Sequence, residues 1–158
     1  AVLRVCFLYL SDYSLAEDAA QDTFLKVWRG MDRFERRNGC SEKTWIMRIA
    51  VNTCKDYGRA AWLRHVDKTK AVEDILPALR PVGDDTREIL TDVMAMPAKY
   101  KETILLYYYQ NMSMEEAAKA LGVSRPTFYR RLQKAHGLLR YQLEGRDEDE
   151  GRAHSAMP

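Results

Sequence analysis

The chain has 158 residues, of which 30% are charged and 46% are hydrophobic, a composition typical of a folded globular protein. No apolar run reaches the roughly 20 residues that a membrane-spanning helix needs, so membrane insertion is not expected. The apolar start, residues 2–10, lacks a basic leader and a cleavage site, which argues against a secretory signal. Ala1 falls within a helical pattern, which predicts that the N-terminus is incomplete. A cytoplasmic protein is predicted.

The charge is distributed in blocks along the chain. The net charge is +3 over residues 1–65, −3 over 66–98, +4 over 99–145 and −2 over 146–158. Two basic blocks separated by an acidic one suit a protein with two nucleic-acid-binding surfaces.

The first basic block begins with two predicted helices. Residues 2–13 are predicted to be the remainder of a buried helix. Ser14, followed three residues later by Glu17, predicts a capping box that opens a helix over 15–33. The apolar side chains at helical spacing predict the core face of this helix. They are Ala20, Phe24, Val27, Met31 and Phe34.

A polar loop and a third helix complete the first block. Residues 35–43 are polar and contain a glycine, so they are predicted to be a loop. A helix is predicted over 44–63, with Trp45, Ile46, Ile49, Ala50 and Tyr57 as its apolar members. Its polar residues recur at spacings of four, three and four, and they form a stripe along one face. They are Arg48, Asn52, Lys55 and Arg59.

Residues 65–85 have weak periodicity, two prolines and a glycine, which indicate a flexible linker with a short helical turn near 71–76. Beyond it, helices are predicted over about 86–95 and 97–110. The core candidates of the second of these helices are Ile104, Leu105 and Tyr108.

The whole pattern predicts an all-α protein with two small helical domains, residues 1–64 and 86–145. No strand pattern and no internal repeat occur. Residues 146–158 are acidic and rich in small polar residues, and a disordered tail is predicted for them.

Residues 113–140 have the local signals of a helix-turn-helix. Ser113 and Glu116 form a capping box for a first helix that ends near Leu121. Gly122 follows, where a left-handed backbone is needed and glycine adopts it without a steric penalty. Ser124 can cap the second helix, with a proline in its first turn.

The second helix of this motif has two different faces. Phe128, Leu132, Ala135 and Leu139 share one face at helical spacing. The opposite face has cations and hydroxyl groups that suit phosphates and guanine edges. Its members and their flanking residues are Ser124, Arg125, Thr127, Arg130, Arg131 and Lys134. The alternative is an ordinary helical hairpin with a solvated basic face.

The remaining residues give no evidence of catalysis or of a bound group. Cys6, Cys40 and Cys54 are widely spaced and match no zinc pattern, so reduced thiols are predicted, with no metal and no cofactor. Three scattered histidines and the absence of a glycine-rich phosphate loop argue against an enzyme.

Three segments in order resemble a known family. Residues 16–34 contain Asp-Ala-Ala-Gln-Asp-Thr-Phe-Leu-Lys-Val-Trp, residues 44–59 contain Thr-Trp-Ile-Met-Arg-Ile-Ala-Val-Asn, and the helix-turn-helix spans 113–140. The chain thereby resembles the bacterial sigma factors of the sigma-70 superfamily, of the extracytoplasmic function (ECF) type. The likeness extends over nearly all of residues 1–143.

This resemblance implies a non-catalytic protein that directs RNA polymerase to promoters. The first domain would bind a coiled coil of the largest subunit of the core polymerase. The side chains implied in this contact are Asp18, Gln21, Asp22, Phe24 and Trp28. Contact with the polymerase flap and with an anti-sigma factor is also implied.

Promoter contacts are implied on both domains. The first domain would open the −10 element and hold its non-template strand. The side chains implied there are Arg36, Arg37, Asn38, Lys43, Trp45, Arg48, Asn52, Lys55 and Arg59. The helix-turn-helix would place Ser124, Arg125, Thr127, Arg130, Arg131 and Lys134 in the major groove of the −35 element.

Two alternatives differ in class from a sigma factor. A stand-alone helix-turn-helix regulator would normally dimerise to bind two half-sites, and no dimer seam is evident in the sequence. A protein-interaction module would bind a regulator and not DNA.

Overall fold

The chain folds into helices. The computed structural model describes residues 1–34, 40–63 and 84–155, and the side chains of residues 1–34, 40–59 and 89–141. In chain order the helices are α1 (Val2–Leu10), α2 (Tyr13–Gly30), α3 (Glu42–Leu63), α4 (Asp84–Ala95), α5 (Ala98–Ile104), α6 (Met114–Leu121) and α7 (Arg125–Ser155). A 3-10 turn, Met31–Arg33, ends α2, and a π-helical turn, Leu105–Tyr109, extends α5. No strand occurs in these ranges, and the predicted all-α class is confirmed.

Helices α1, α2 and α3 pack together as the first domain. Ser11 takes a left-handed conformation with φ 57°, and this sharp turn lets α2 fold back on α1. Asp12 then caps α2, because its Oδ1 accepts a hydrogen bond from the Leu15 amide at 2.8 Å. The predicted Ser14–Glu17 capping box is therefore wrong, since Ser14 already lies inside the helix.

The core face of α2 is made of small residues. Ala16, Ala19 and Ala20 are buried, and Thr23 is buried with its hydroxyl donating to the Ala19 carbonyl at 2.7 Å. Because side chains this small let α1 and α3 approach closely, no room is left there for a large ring. Of the predicted core face, Ala20 and Val27 are buried.

Phe24 and Met31 correct the predicted core face, because both side chains are exposed. Phe24 directly follows buried Thr23, and Met31 lies beyond the end of α2, in the 3-10 turn. Their hydrophobicity predicts that both lie in the core, whereas the close packing of α2 against its neighbours accommodates only small side chains.

Helices α4 to α7 form the second domain. Ile104, Leu105 and Phe128 are buried at its centre, together with Leu132 and Ala135. Tyr108 was predicted to join this core, and it is exposed instead. The π-helical turn explains the difference, because its extra residue per turn shifts the register of the side chains that follow Leu105.

The helix-turn-helix forms as predicted. Ser113 Oγ accepts from the Glu116 amide at 3.2 Å, and Glu116 Oε2 accepts from the Ser113 amide at 2.9 Å. This hydrogen bond from the Ser113 backbone lowers the pKa of Glu116. Its stabilising effect is therefore present above the ordinary carboxyl pKa and is lost as the pH falls through the lowered value. Gly122 has φ 66°, the left-handed turn that the motif requires.

Replacing Ser113 with alanine should lower the free energy of unfolding by about 1 kcal/mol, because α6 loses its cap. Asp12→Ala should have a similar effect on α2. Ser14→Ala is the matched control, and it should change stability by less than about 0.5 kcal/mol. Urea unfolding followed by circular dichroism measures all three. A larger loss of stability with Ser14→Ala than with Asp12→Ala would show that the predicted Ser14–Glu17 capping box forms after all.

Helix α7 is longer than predicted. It continues to Ser155, so residues 146–155 are helical where the sequence predicts a disordered tail. The tail sequence contains Glu, Asp and Arg and has no proline before Pro158, so nothing in it removes a backbone donor from the helical ladder. The predicted linker, residues 65–85, and its helical turn lie almost entirely outside the described residues.

The two domains pack against each other through α3 with α6 and α1 with α5. Lys101 Nζ donates to the Tyr9 carbonyl at 3.2 Å, and Lys43 Nζ donates to the Gln110 carbonyl. None of the described helices is long and apolar enough to cross a membrane.

Candidate nucleic-acid interface

The N-terminal half of α7 presents a rigid basic surface. Ser124 caps the helix, because its Oγ accepts from the Thr127 amide at 3.3 Å. Phe128 and Leu132 are buried beneath and fix the rotation of the helix. We call the outward side of this half-helix the recognition face, defined by Ser124, Arg125, Thr127, Arg130 and Lys134.

The side chains of the recognition face are arranged for hydrogen bonding. Arg125, Arg130 and Lys134 are exposed. The hydroxyl groups of Ser124 and Thr127 lie 2.9 Å apart, and Arg130 Nη2 donates to Thr127 Oγ1 at 3.4 Å. The face therefore offers cations and hydroxyl groups from a helix whose position is set by the core, as contact with a major groove requires.

Arg131 does not lie on this face. Its side chain is 26% exposed, and its Nη1 donates to Glu102 Oε1 at 3.1 Å. The residue lies beside the buried row of Phe128 and Leu132, so its guanidinium turns toward α5. The structure separates Arg131 from the other predicted −35 residues.

Helix α3 carries the predicted polar stripe: Arg48, Asn52, Lys55 and Arg59. Arg48, Asn52 and Arg59 are exposed, and Lys55 is half-buried. Arg59 also pairs with Asp56 on its own helix. We call this set of four residues the α3 stripe.

The second domain lies against the α3 stripe. Lys55 Nζ is 2.9 Å from Glu102 Oε2. The Arg48 guanidinium reaches the turn of the helix-turn-helix, where a Cβ added at Gly122 would lie 3.4 Å from Nη2. Lys43, at the start of α3, contacts the Gln110 carbonyl. Three of the predicted −10 residues therefore contact the second domain.

Trp45 has a packing partner within its own domain. Its ring lies 4.8 Å from that of Phe34, centroid to centroid, at an angle of 30°. It also lies over Gly30, where an added Cβ would come within 3.0 Å of the indole. Trp45 thus joins the end of α2 to α3. Arg36, Arg37 and Asn38 lie outside the described residues.

A second exposed surface lies on α2, and we call it the docking face: Asp18, Gln21, Asp22, Phe24 and Trp28. Phe24 is 58% exposed and Trp28 is 77% exposed. Asp18 and Gln21 are also exposed, whereas Asp22 accepts a hydrogen bond from the Tyr57 hydroxyl at 2.9 Å. Burial and the hydrogen bond to Asp22 raise the pKa of Tyr57 to about 12.

Sequence reasoning missed two neighbours of the docking face. Leu25 and Met31 are both exposed, and each is three residues from Trp28, Leu25 on α2 and Met31 in the 3-10 turn that follows. The sequence does contain a signal for this exposed surface. The row of small alanines indicates which side of α2 is buried, and large apolar side chains away from that row are therefore expected to be exposed.

The second domain also holds an apolar cavity of about 360 Å³ between α4, α5 and α7. It is lined by Ile89, Val93, Ile104, Tyr108, Tyr109, His136 and Leu139. Tyr108 and His136 are joined by a hydrogen bond of 2.7 Å between the hydroxyl and Nε2. Sequence reasoning did not identify this cavity.

The three cysteines form no disulfide. Cys6 and Cys54 are buried between α1 and α3, and Cys40 is half-buried. A hydrogen bond with Cys6 and burial raise the pKa of Cys54. Both thiols are fully buried in the first domain, as expected of structural cysteines.

Comparison with known proteins follows the same division into two domains. Residues 1–64 match the family model "Sigma-70 region 2", and residues 86–136 match "Sigma-70, region 4". The RNA polymerase sigma-E factor of Streptomyces avermitilis is 30% identical over 159 residues, which is 94% of this chain and 82% of that protein. The ECF RNA polymerase sigma factor SigM of Bacillus subtilis is 26% identical, over 80% of this chain and 78% of that protein.

A solved structure has the same fold. It is the sigma factor RpoE from Bartonella quintana in complex with the anti-sigma factor NepR, with a TM-score of 0.71 and 23% identity. The match covers 90% of this chain and 89% of that one. Two family models in the same order and relatives matched over most of their length agree on one family. The chain belongs to the RNA polymerase sigma factors of the sigma-70 superfamily, as a member of the ECF type.

Proposed function

We propose that this sigma factor binds core RNA polymerase through the docking face, takes the −10 strand on the α3 stripe and reads the −35 duplex with the recognition face. The observation that carries the proposal is the recognition face itself. Its three exposed cations, Arg125, Arg130 and Lys134, project from a helix whose other side is locked into the core. No bond-making chemistry is required of the chain, and it would act in the cytoplasm beside the polymerase.

Different residues along α7 would contact the bases and the phosphates of the −35 duplex. An arginine can donate two hydrogen bonds to O6 and N7 of one guanine, so Arg125 and Arg130 are assigned to base edges. Lys134 lies one turn further on and is assigned to a phosphate, where a point charge suffices. Ser124 and Thr127 would orient Arg130 through their linked hydroxyls.

The −10 strand would be held on α3. An unpaired base loses a few kcal/mol of stacking, which a protein offsets with edge hydrogen bonds and stacking of its own. Asn52 has an amide that can read one base edge. Arg48, Lys55 and Arg59 carry the charges for the backbone phosphates, with Lys43 at the start of the helix.

Two apolar surfaces would contact proteins. The exposed rings of Phe24 and Trp28, flanked by Asp18, suit a coiled coil of the polymerase, because aromatic anchors with polar neighbours dominate such contacts. The cavity between α4, α5 and α7 would take an apolar segment of the polymerase flap. The similar RpoE structure holds an anti-sigma factor, and we assign a partner of this class to the present chain as well.

Arg130→Ala should reduce transcription from promoters that require the protein, with a loss of about 1–3 kcal/mol in promoter binding and relaxed specificity at one base pair. Lys134→Ala should weaken all promoters alike. Arg140→Ala is the matched control, because this exposed arginine lies on the same helix beyond the recognition face. The measurement is transcription reconstituted from core polymerase, each variant and a promoter library.

The same assay separates the proposed function from its alternative. A sigma factor initiates from a distinct promoter set only when it is added to core polymerase. Failure to bind polymerase, together with tight and specific binding of duplex DNA by the protein alone, would identify a stand-alone helix-turn-helix regulator.

A further inference from the structure

Glu102 on α5 is a buried carboxylate that contacts cations of both domains. Its side chain is 3% exposed, although it belongs to a residue type that is rarely buried without a partner. Oε1 accepts from Arg131 of α7 at 3.1 Å, and Oε2 lies 2.9 Å from Nζ of Lys55 on α3. No DNA-contact motif and no core pattern in the sequence accounts for this residue.

The two contacts of Glu102 differ in kind. Arg131 belongs to the same domain, and its hydrogen bond orients the carboxylate. Lys55 belongs to the other domain, and Oε2 receives no directed hydrogen bond in the described part of the chain. The bond between the domains is thus an ion pair with little geometric constraint, and Lys55 keeps 35% of its side chain exposed to water. Because the Lys55 side of the pair is open to water and Arg131 also pairs with Glu102, an external anion can compete for the lysine.

A phosphate is such an anion. Lys55 lies in the middle of the α3 stripe, which the proposed function assigns to the −10 strand. The Glu102 carboxylate therefore occupies the position that a backbone phosphate would take on this lysine. Around it, Arg48 contacts the turn at Gly122 and Lys43 contacts the Gln110 carbonyl, so the second domain lies against the same surface.

The closed arrangement is incompatible with promoter binding by both domains. The −10 and −35 elements are about 25 base pairs apart, which is about 85 Å along the duplex at about 3.4 Å per base pair. In the structure α3 contacts α6 of the helix-turn-helix directly. The domains must therefore separate before both elements can be bound.

We propose that Glu102 is an internal latch: it holds Lys55 of the α3 stripe in place of a DNA phosphate, and so keeps the unbound sigma factor closed. The inference rests on the proposed function of the α3 stripe. The recognition face stays exposed in the closed form, so the latch withholds Lys55 from a single strand and leaves the duplex surface free.

This asymmetry gives the test. Glu102→Gln keeps the shape of the side chain and removes its charge, and Lys55 and Arg131 can turn to water because both are partly exposed. Glu115→Gln is the charge-matched control, because Glu115 is exposed on α6 and pairs with Lys119 of the same helix. The probes are a fluorescein-labelled single-stranded 20-mer of mixed sequence and the corresponding duplex.

Glu102→Gln should bind the single strand about tenfold or more tightly than Glu115→Gln, because the binding-competent open form is no longer a minor species. The two variants should bind the duplex equally. Small-angle X-ray scattering should show a larger radius of gyration for Glu102→Gln alone. Equal single-strand affinity and equal size of the two variants, or an equal gain on both probes, would overturn the latch.

Two further measurements keep the result unambiguous. Lys55→Gln breaks the same ion pair from a half-exposed position, and it should increase the radius of gyration even where Glu102→Gln does not fold. A Lys55→Gln chain that stays as compact as the unmodified protein would count against the latch. Reconstituted transcription with the Glu115→Gln chain tests the proposed function separately, since its failure would overturn the sigma-factor role without changing the scattering result.

Discussion

Replacing Trp28 with alanine is expected to weaken binding to core RNA polymerase by at least about 2 kcal/mol, or roughly 30-fold. The indole is 77% exposed, so it contributes little to the fold of the unbound chain. Phe24, four residues before it, and Met31, three residues after it, are exposed as well. Several large apolar side chains exposed near one another are typical of a protein contact, and the largest ring should contribute most to binding.

Tyr141→Ala is the matched control for this substitution. Tyr141 is 78% exposed, but it lies on α7, far along the chain from the docking face. The measurement is the affinity of fluorescently labelled protein for core polymerase, with urea unfolding of each variant. Equal affinity of the Trp28 and Tyr141 variants would exclude α2 as the main polymerase contact. A large loss of stability in the Trp28 variant would instead assign the ring to the fold.

The helix-turn-helix could be predicted residue by residue because its signals are local. The Ser113–Glu116 capping box, the left-handed Gly122 and the Ser124 cap each depend on neighbours within three residues. The apolar spacing of Phe128 and Leu132 then sets which side of α7 faces outward. No knowledge of the rest of the chain is needed for any of these steps.

The side of α2 that faces the core could not be predicted from local signals in this way. Hydrophobicity placed Phe24 and Met31 in the core, whereas the distance between α1, α2 and α3 decides which side chains fit. That distance is set by Ala16, Ala19 and Ala20, and it becomes evident only when the three helices are packed. The Ser14 cap failed for a related reason, because the left-handed turn at Ser11 starts the helix early.

Glu102 shows the limit of a sequence pattern more sharply. In the sequence it is one acidic residue between Lys101 and Thr103. Its partners Lys55 and Arg131 are 47 and 29 residues away along the chain. The family resemblance implies DNA contacts for both residues, yet in the structure both pair with the Glu102 carboxylate. Only the packing of the two domains brings the three residues together.

Replacing Phe128 with alanine is expected to lower the free energy of unfolding by about 3–5 kcal/mol, because a fully buried ring is lost from the centre of the second domain. Its ring packs at 6.4 Å from that of Tyr107, centroid to centroid, and its removal would leave a cavity there. A loss of this size is a large fraction of the stability of a small protein. Tyr129→Ala is the control, because this neighbouring ring is exposed and its removal should cost less than about 0.5 kcal/mol.

The Phe128 variant also separates fold from recognition on α7. Binding of a −35 duplex should fall with Phe128→Ala in proportion to the unfolded fraction, and it should recover with an osmolyte that favours the folded state. Binding by Arg130→Ala should not recover, because that variant is folded and lacks a contact. Urea unfolding and duplex binding measured on the same samples distinguish these outcomes. A Phe128→Ala chain as stable as the Tyr129→Ala chain would show that the recognition face is held by some other part of the second domain.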